Sequence, residues 1–164
     1  MIVYLKILFF YALICKAWPY FLYPNYAKKS KIETYPELRK LALKIKRKDK
    51  LSTIKTAYNY MSKTYSGHAE QFRPKSLLTI FHLGDFNTKS ILNKKQFLWC
   101  HNQNRLLKSI LINTELFTPD EIVIKKHFFK SFFIHQWVVI SLKNQKIKID
   151  PFYNILEVVK KQSC

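Results

Sequence analysis

The chain has 164 residues, enough for one domain with a substantial core, and its 48% hydrophobic content is that of a globular protein. A formal net charge of +19, carried by 29 Lys and Arg against 10 Asp and Glu, falls on Lys far more than Arg. Base readout and planar phosphate recognition favour Arg forks, so the composition disfavours a defined nucleic-acid site and fits a solvated surface, an acidic partner or an anionic envelope surface.

Residues 1–23 are the most hydrophobic stretch, with an unbroken apolar run over 7–15 between Lys6 and Lys16. That run is short for a membrane span, which takes about 20 residues, and suits a secretory h-region. Cys15-Lys16-Ala17 places small residues at the positions a signal peptidase reads, so cleavage after Ala17 is expected. An uncleaved anchor reaching Tyr23 is the runner-up, with Lys16 costly near its middle. A buried helix of a cytoplasmic protein is the plain alternative. The expectation is a signal peptide or membrane anchor over 1–23, a Lys-rich linker over 24–35 and one domain over 36–164. The protein is then exported or membrane-anchored in the cell envelope.

Pro36 suits the first turn of a helix, where its missing N–H would have no partner. Leu38, Leu41, Ala42 and Ile45 follow on one face. Asp49 and Ser52 are candidate caps for a second helix with Leu51, Ile54, Ala57, Tyr58, Met61 and Tyr65 at helical spacing, ended by Ser66-Gly67. Residues 68–96 are mixed, with loops at Arg73-Pro74 and Gly84-Asp85-Phe86-Asn87. A third helix is expected from Cys100 to about Thr114, with Leu106, Leu107, Ile110 and Leu111 as its apolar stripe. Pro119-Asp120 makes a turn. Strands are then expected over 121–129, 132–142 and 147–150, the last two joined by a turn at 143–146. Helices first and an antiparallel sheet after them make the fold class α+β, with the Cys100 helix packed on the sheet.

Three residues carry chemistry in this layout. Cys100 opens a helix, where the positive end of the dipole and unpaired backbone N–H groups favour thiolate over thiol. His135 opens one strand and Asp150 closes the next, so a hairpin returns both to one end of the sheet. Perfect opposition of the two would require a bulge or a shifted turn. Asp150 is the only acid between Glu121 and Glu157, so it is the carboxylate left to orient His135. Gln96 and Gln136 are candidate oxyanion donors, and Trp99 and Trp137 are candidate pocket walls. His101 points about 100° away from Cys100 on a helix and is expected at the rim. Cys15 and Cys164 make no paired spacing with Cys100, and neither a zinc site nor a disulfide framework is expected.

Trp99-Cys100-His101-Asn102-Gln103-Asn104-Arg105-Leu106-Leu107, His135-Gln136-Trp137-Val138-Val139 and Ile147-Lys148-Ile149-Asp150-Pro151 together resemble the transglutaminase-like superfamily of papain-type thiol enzymes. The resemblance spans roughly residues 51–156. It implies Cys100 as nucleophile, His135 as base and Asp150 as orienter, on a transglutaminase-like or papain-like core. It also implies acyl transfer, amide or peptide hydrolysis, or protein crosslinking without a cofactor, on a protein, peptide or amide substrate. The net charge suits an acidic one, and the histidine spacing gives no expectation of a metal. The chain departs from the family pattern in having Phe97-Leu98-Trp99 before the cysteine and polar Asn102, Gln103 and Asn104 after it. Three alternatives stand beside this reading. One is a non-catalytic binding or scaffolding module of the same fold. Another is a basic surface protein for nucleic acid or anionic polymer, which a steep salt dependence of binding would reveal. The third is an arylamine-type acyltransferase, which would draw on a thioester donor.

Overall fold

A computed structural model of the chain describes residues 4, 6, 9, 32–70, 73, 87–93, 97–128, 134–143 and 145–160. Most of the expected leader and linker, the loops expected within 71–86 apart from position 73, and Gln96, Cys15 and Cys164 lie outside them. Among the described residues no helix is long and apolar enough to cross a membrane.

The architecture is α+β. Among the described residues, the helices α1 (Pro36–Ile45), α2 (Lys50–Thr64), α3 (Thr88–Asn93) and α4 (Cys100–Asn113) precede an antiparallel sheet of β1 (Ile122–Phe128), β2 (Ile134–Ser141), β3 (Gln145–Asp150) and β4 (Ile155–Lys160) in that spatial order. Pro36 starts α1, as its chemistry dictates, and Leu38, Ala42 and Ile45 are buried. Asp49 caps α2, its side chain accepting the Ser52 N–H at 2.8 Å. That bond holds the Asp49 carboxyl below its ordinary value.

Two elements are additions to the sequence-based layout. Helix α3 begins where the Thr88 N–H and hydroxyl donate to Glu33 Oε2, at 2.8 and 2.6 Å. Asn87 caps it locally, its Oδ1 accepting the Lys89 N–H at 2.8 Å, and the Glu33 contact added to this comes from far upstream, which a local pattern does not reveal. Strand β4 follows a turn over residues 151–154 in which Asn154 takes a left-handed φ of 56°, a conformation asparagine tolerates. The turn between β2 and β3 is also tighter than expected. Gln145 and Lys146 belong to β3, and the Leu142 N–H donates to the Gln145 carbonyl at 2.9 Å.

Helix α4 is the centre of the molecule. It packs on β2 on one side and against α1, α2 and α3 on the others. Leu106, Leu107, Ile110 and Leu111 are fully buried against Leu38, Ile54 and Met61 from the helices and Val138, Ile140, Ile147 and Ile149 from the sheet. Being covered on all sides, α4 also buries the polar run His101, Asn102, Gln103, Asn104 and Arg105. The placement of His101 at the rim is therefore corrected: it is 0% exposed, because the first turn of α4 runs under the other elements. Buried amides there donate to backbone carbonyls, Gln103 Nε2 to Leu98 at 2.9 Å and to Ser66 at 3.1 Å, and Asn104 Nδ2 to Gln136 at 2.7 Å.

Candidate active site

Cys100 is the first residue of α4, and Trp99 before it has the extended backbone of an N-cap, φ −65° and ψ 154°. Helix geometry directs the first turn's N–H groups out of this end. The thiol is buried with Phe97 and Phe152, and Trp99 packs against that cluster. A lone buried cysteine is ordinarily a small hydrophobe. What distinguishes this one is the ring beside it.

His135 and Asp150 meet across the β2–β3 hairpin. The ladder pairs Val138 with Ile149 and Val139 with Lys148, so its next step sets Trp137 opposite Asp150. His135 lies two residues beyond on the same face, a diagonal neighbour that a long side chain can reach. The tight turn thus shifts the register by one pair, and the two residues meet without direct opposition. His135 Nε2 and Asp150 Oδ2 are 2.5 Å apart, and both side chains are buried. The other carboxylate oxygen, Oδ1, accepts the Tyr153 N–H at 3.3 Å. Asp150 is thereby fixed from two directions.

The His135 ring is also hydrogen-bonded to Cys100. Since Nε2 is committed to Asp150, Nδ1 is the nitrogen that faces the thiol. Burial pushes the His135 pKa down, but the hydrogen bonds and negative charges of Asp150 and Cys100 outweigh it and raise the imidazole from 6.5 to about 9. Near neutrality the site therefore holds an imidazolium between a carboxylate and a sulfur. The Tyr153 phenol is pushed up by its partial burial and by the same negative charges, so it stays neutral.

Aromatic rings enclose the imidazole. Trp137 stacks on it with centroids 6.0 Å apart at 24°, and Tyr153 meets it edge-on at 4.7 Å. Phe152 lies 6.1 Å away, and His68 in turn stacks on Tyr153 at 4.5 Å. Trp137, expected as a pocket wall, is thus a cover on the base, and Lys148 lies over its ring at 5.9 Å. Trp99 lies at the nucleophile's end, edge to face with Phe97 at 5.1 Å. Gln136 alternates with His135 and falls on the sheet face of Val138 and Ile140, where it is 3% exposed. The structure does not bring it to the face of His135. Sequence reading gave no site role to Phe152, Tyr153 or His68 and took Gly67 only as a helix end. The signal for the first two was their position directly after Asp150-Pro151.

Cys100, His135 and Asp150 are brought together from three elements, in an order and geometry suited to nucleophile, proton carrier and orienting carboxylate. Compared with known proteins, the chain matches no family model, no curated protein and no solved structure.

Proposed function

We propose that this chain is a transglutaminase-like thiol enzyme, performing acyl transfer or amide and peptide hydrolysis through Cys100, His135 and Asp150. The observation that carries the reading is the single imidazole ring held at 2.5 Å by a carboxylate and hydrogen-bonded to a cysteine at a helix start. In the proposed cycle Cys100 Sγ attacks the carbonyl carbon of an amide or ester. The oxyanion so formed is stabilised by N–H groups of the first turn of α4, that of Cys100 among them. The tetrahedral adduct collapses, the C–N or C–O bond breaks, and His135 gives its proton to the leaving amine or alcohol. A thioester remains on Cys100. Water or an amine then attacks it, His135 takes the proton, and the acid or new amide departs as the thiolate is restored. Asp150 steadies the imidazolium throughout.

The proposed substrate is a protein, peptide or amide, with acidic character matched to the chain's net charge of +19. Export or membrane anchoring in the cell envelope, through residues 1–23, belongs to the same proposal. The non-catalytic module is the second reading, favoured by the 5% exposure of Cys100.

Alkylation by iodoacetamide separates the two. With Cys15→Ser and Cys164→Ser in the full chain, Cys100 is expected to react rapidly at pH 6, where an ordinary thiol of pKa about 8.5 is almost wholly protonated. His135→Ala is expected to slow that reaction at least tenfold. A thiol that stays inert, or that reacts equally with and without His135, would remove the enzyme reading and leave the binding module. A reactive thiol would next be offered peptides and amines to distinguish hydrolysis from transfer.

A further inference from the structure

The three residues Ser66, Gly67 and His68 lie between the two ends of the proposed catalytic set. On one side the Ser66 carbonyl accepts the Leu98 N–H at 3.2 Å and the Gln103 side-chain amide at 3.1 Å. The same Gln103 amide donates to the Leu98 carbonyl. These bonds tie the segment to the chain that runs into Cys100. On the other side the His68 N–H donates to the Phe152 carbonyl at 2.8 Å, and the His68 ring stacks on Tyr153. Tyr153 in turn gives its N–H to Asp150 Oδ1 and its ring edge to His135.

Gly67 sits where these two connections join. A Cβ built on it would lie 2.3 Å from the Phe152 carbonyl oxygen and 2.9 Å from the carbonyl carbon and Cα. All three are backbone atoms, so rotating a side chain relieves nothing. What glycine supplies here is close approach, not an unusual dihedral angle. An alanine would need the strap and the Phe152 backbone to part by about 1 Å. Phe152 is two residues from Asp150, and displacements of that size at a reacting centre cost on the order of a hundredfold in rate.

We propose that Ser66, Gly67 and His68 form a positioning strap that sets the Asp150 loop against the start of the Cys100 helix, with Gly67 as its fulcrum and His68 as its outer clamp. The proposal rests on the reading of Cys100, His135 and Asp150 as a catalytic set and adds what holds that set in register. Neither Gly67 nor His68 touches the thiol or the carboxylate in this scheme. Both act through Phe152 and Tyr153, so they are positioning residues.

The test uses the full chain with Gly67→Ala, His68→Ala and His68→Phe. Two readouts are followed: the His135 titration by its ring Cε1–H resonance, and the pH profile of Cys100 alkylation, with circular dichroism reporting the fold. In folded Gly67→Ala the His135 titration is expected to fall by at least one pH unit and alkylation at pH 6.5 by tenfold or more. His68→Ala is expected to move both the same way by less, and His68→Phe, which keeps a ring on Tyr153, to restore them. A folded Gly67→Ala with an unmoved His135 titration overturns the strap. If that variant fails to fold, His68→Ala decides: an unmoved titration overturns the proposal, and a lowered one restored by His68→Phe supports it. The titration judges the strap even where the wild-type thiol is inert, an outcome that would remove the enzyme reading by itself.

Discussion

The imidazole between Asp150 and Cys100 makes the protein's stability depend on pH in a direction opposite to that of a simple carboxylate pair. His135 is ordinary, near 6.5, in the unfolded chain and is raised to about 9 in the folded one. Between those two values His135 carries one proton more in the native state than in the unfolded state, and its own share of the stability follows that proton. Stability is then fully present below pH 6.5 and is lost as pH rises through 9. At about 1.36 kcal/mol for each pH unit separating the two values, the full loss is about 3 kcal/mol. The side chain is 9% exposed, and residual screening trims this to about 2 to 3 kcal/mol. The check is urea unfolding of the full chain at half-unit steps from pH 6 to 9.5. With a slope of about 1.5 kcal/mol per molar urea, the midpoint is expected to fall by about 1.5 M across that range.

Asp150→Asn provides the control. Removing the carboxylate charge leaves burial, the largest single influence on His135, much less opposed, so its titration moves back toward or below 6.5. The variant is expected to be less stable at pH 6.5 and to lose little more between 6.5 and 9. A wild-type midpoint that stays flat or rises over this window would refute the reasoning. So would an Asp150→Asn protein whose midpoint falls as steeply as the wild type.

Three further outcomes follow from the packing. Leu106→Ala empties a fully buried position between the helices and the sheet and is expected to cost about 2–5 kcal/mol in chemical unfolding, with secondary structure intact by circular dichroism. Asp49→Ala removes the α2 cap and is expected to cost about 1 kcal/mol, most visibly as faster amide exchange in the first turn of that helix. Asn104→Ala removes the buried hydrogen bond from its amide to the Gln136 carbonyl and is expected to cost about 1 kcal/mol, read as a lower thermal midpoint.

What the sequence made legible was local and periodic. The apolar spacing of α1, α2 and α4, the Asp49 cap and the β2–β3 alternation all follow from contacts within one element or between chain neighbours. The meeting of Cys100, His135 and Asp150 was legible because a hairpin brings residues 135 and 150 to one sheet end whatever the exact register. The features that escaped depend on partners distant in the chain. Glu33 holds Thr88 at the start of α3 from 55 residues away, in addition to the local Asn87 cap. The burial of His101, Asn102 and Gln103 arises because three helices and the sheet surround α4, so a polar face on that helix does not mean a solvated one. Gly67 looked like a helix terminator. Its tightest constraint, the Phe152 backbone, lies in a turn 85 residues later.

In the proposed cycle the charge arrangement carries a consequence for the order of proton transfers. The resting imidazolium is the form needed to protonate a leaving amine, and a ring raised to about 9 supplies it at neutral pH. The second half of the cycle needs the opposite form, a neutral base. Cys100 contributes to the raised value both by its hydrogen bond and by its negative charge. A thioester on Cys100 carries no such charge, so acylation removes that support while burial continues to disfavour the cation. The ring, neutral once it has protonated the leaving group, therefore stays neutral in the thioester and serves as the base when water or an amine arrives. Asp150 keeps the imidazole oriented through both halves by its bond to Nε2. The carboxylate fixes the geometry, and the state of the sulfur sets the direction of the proton.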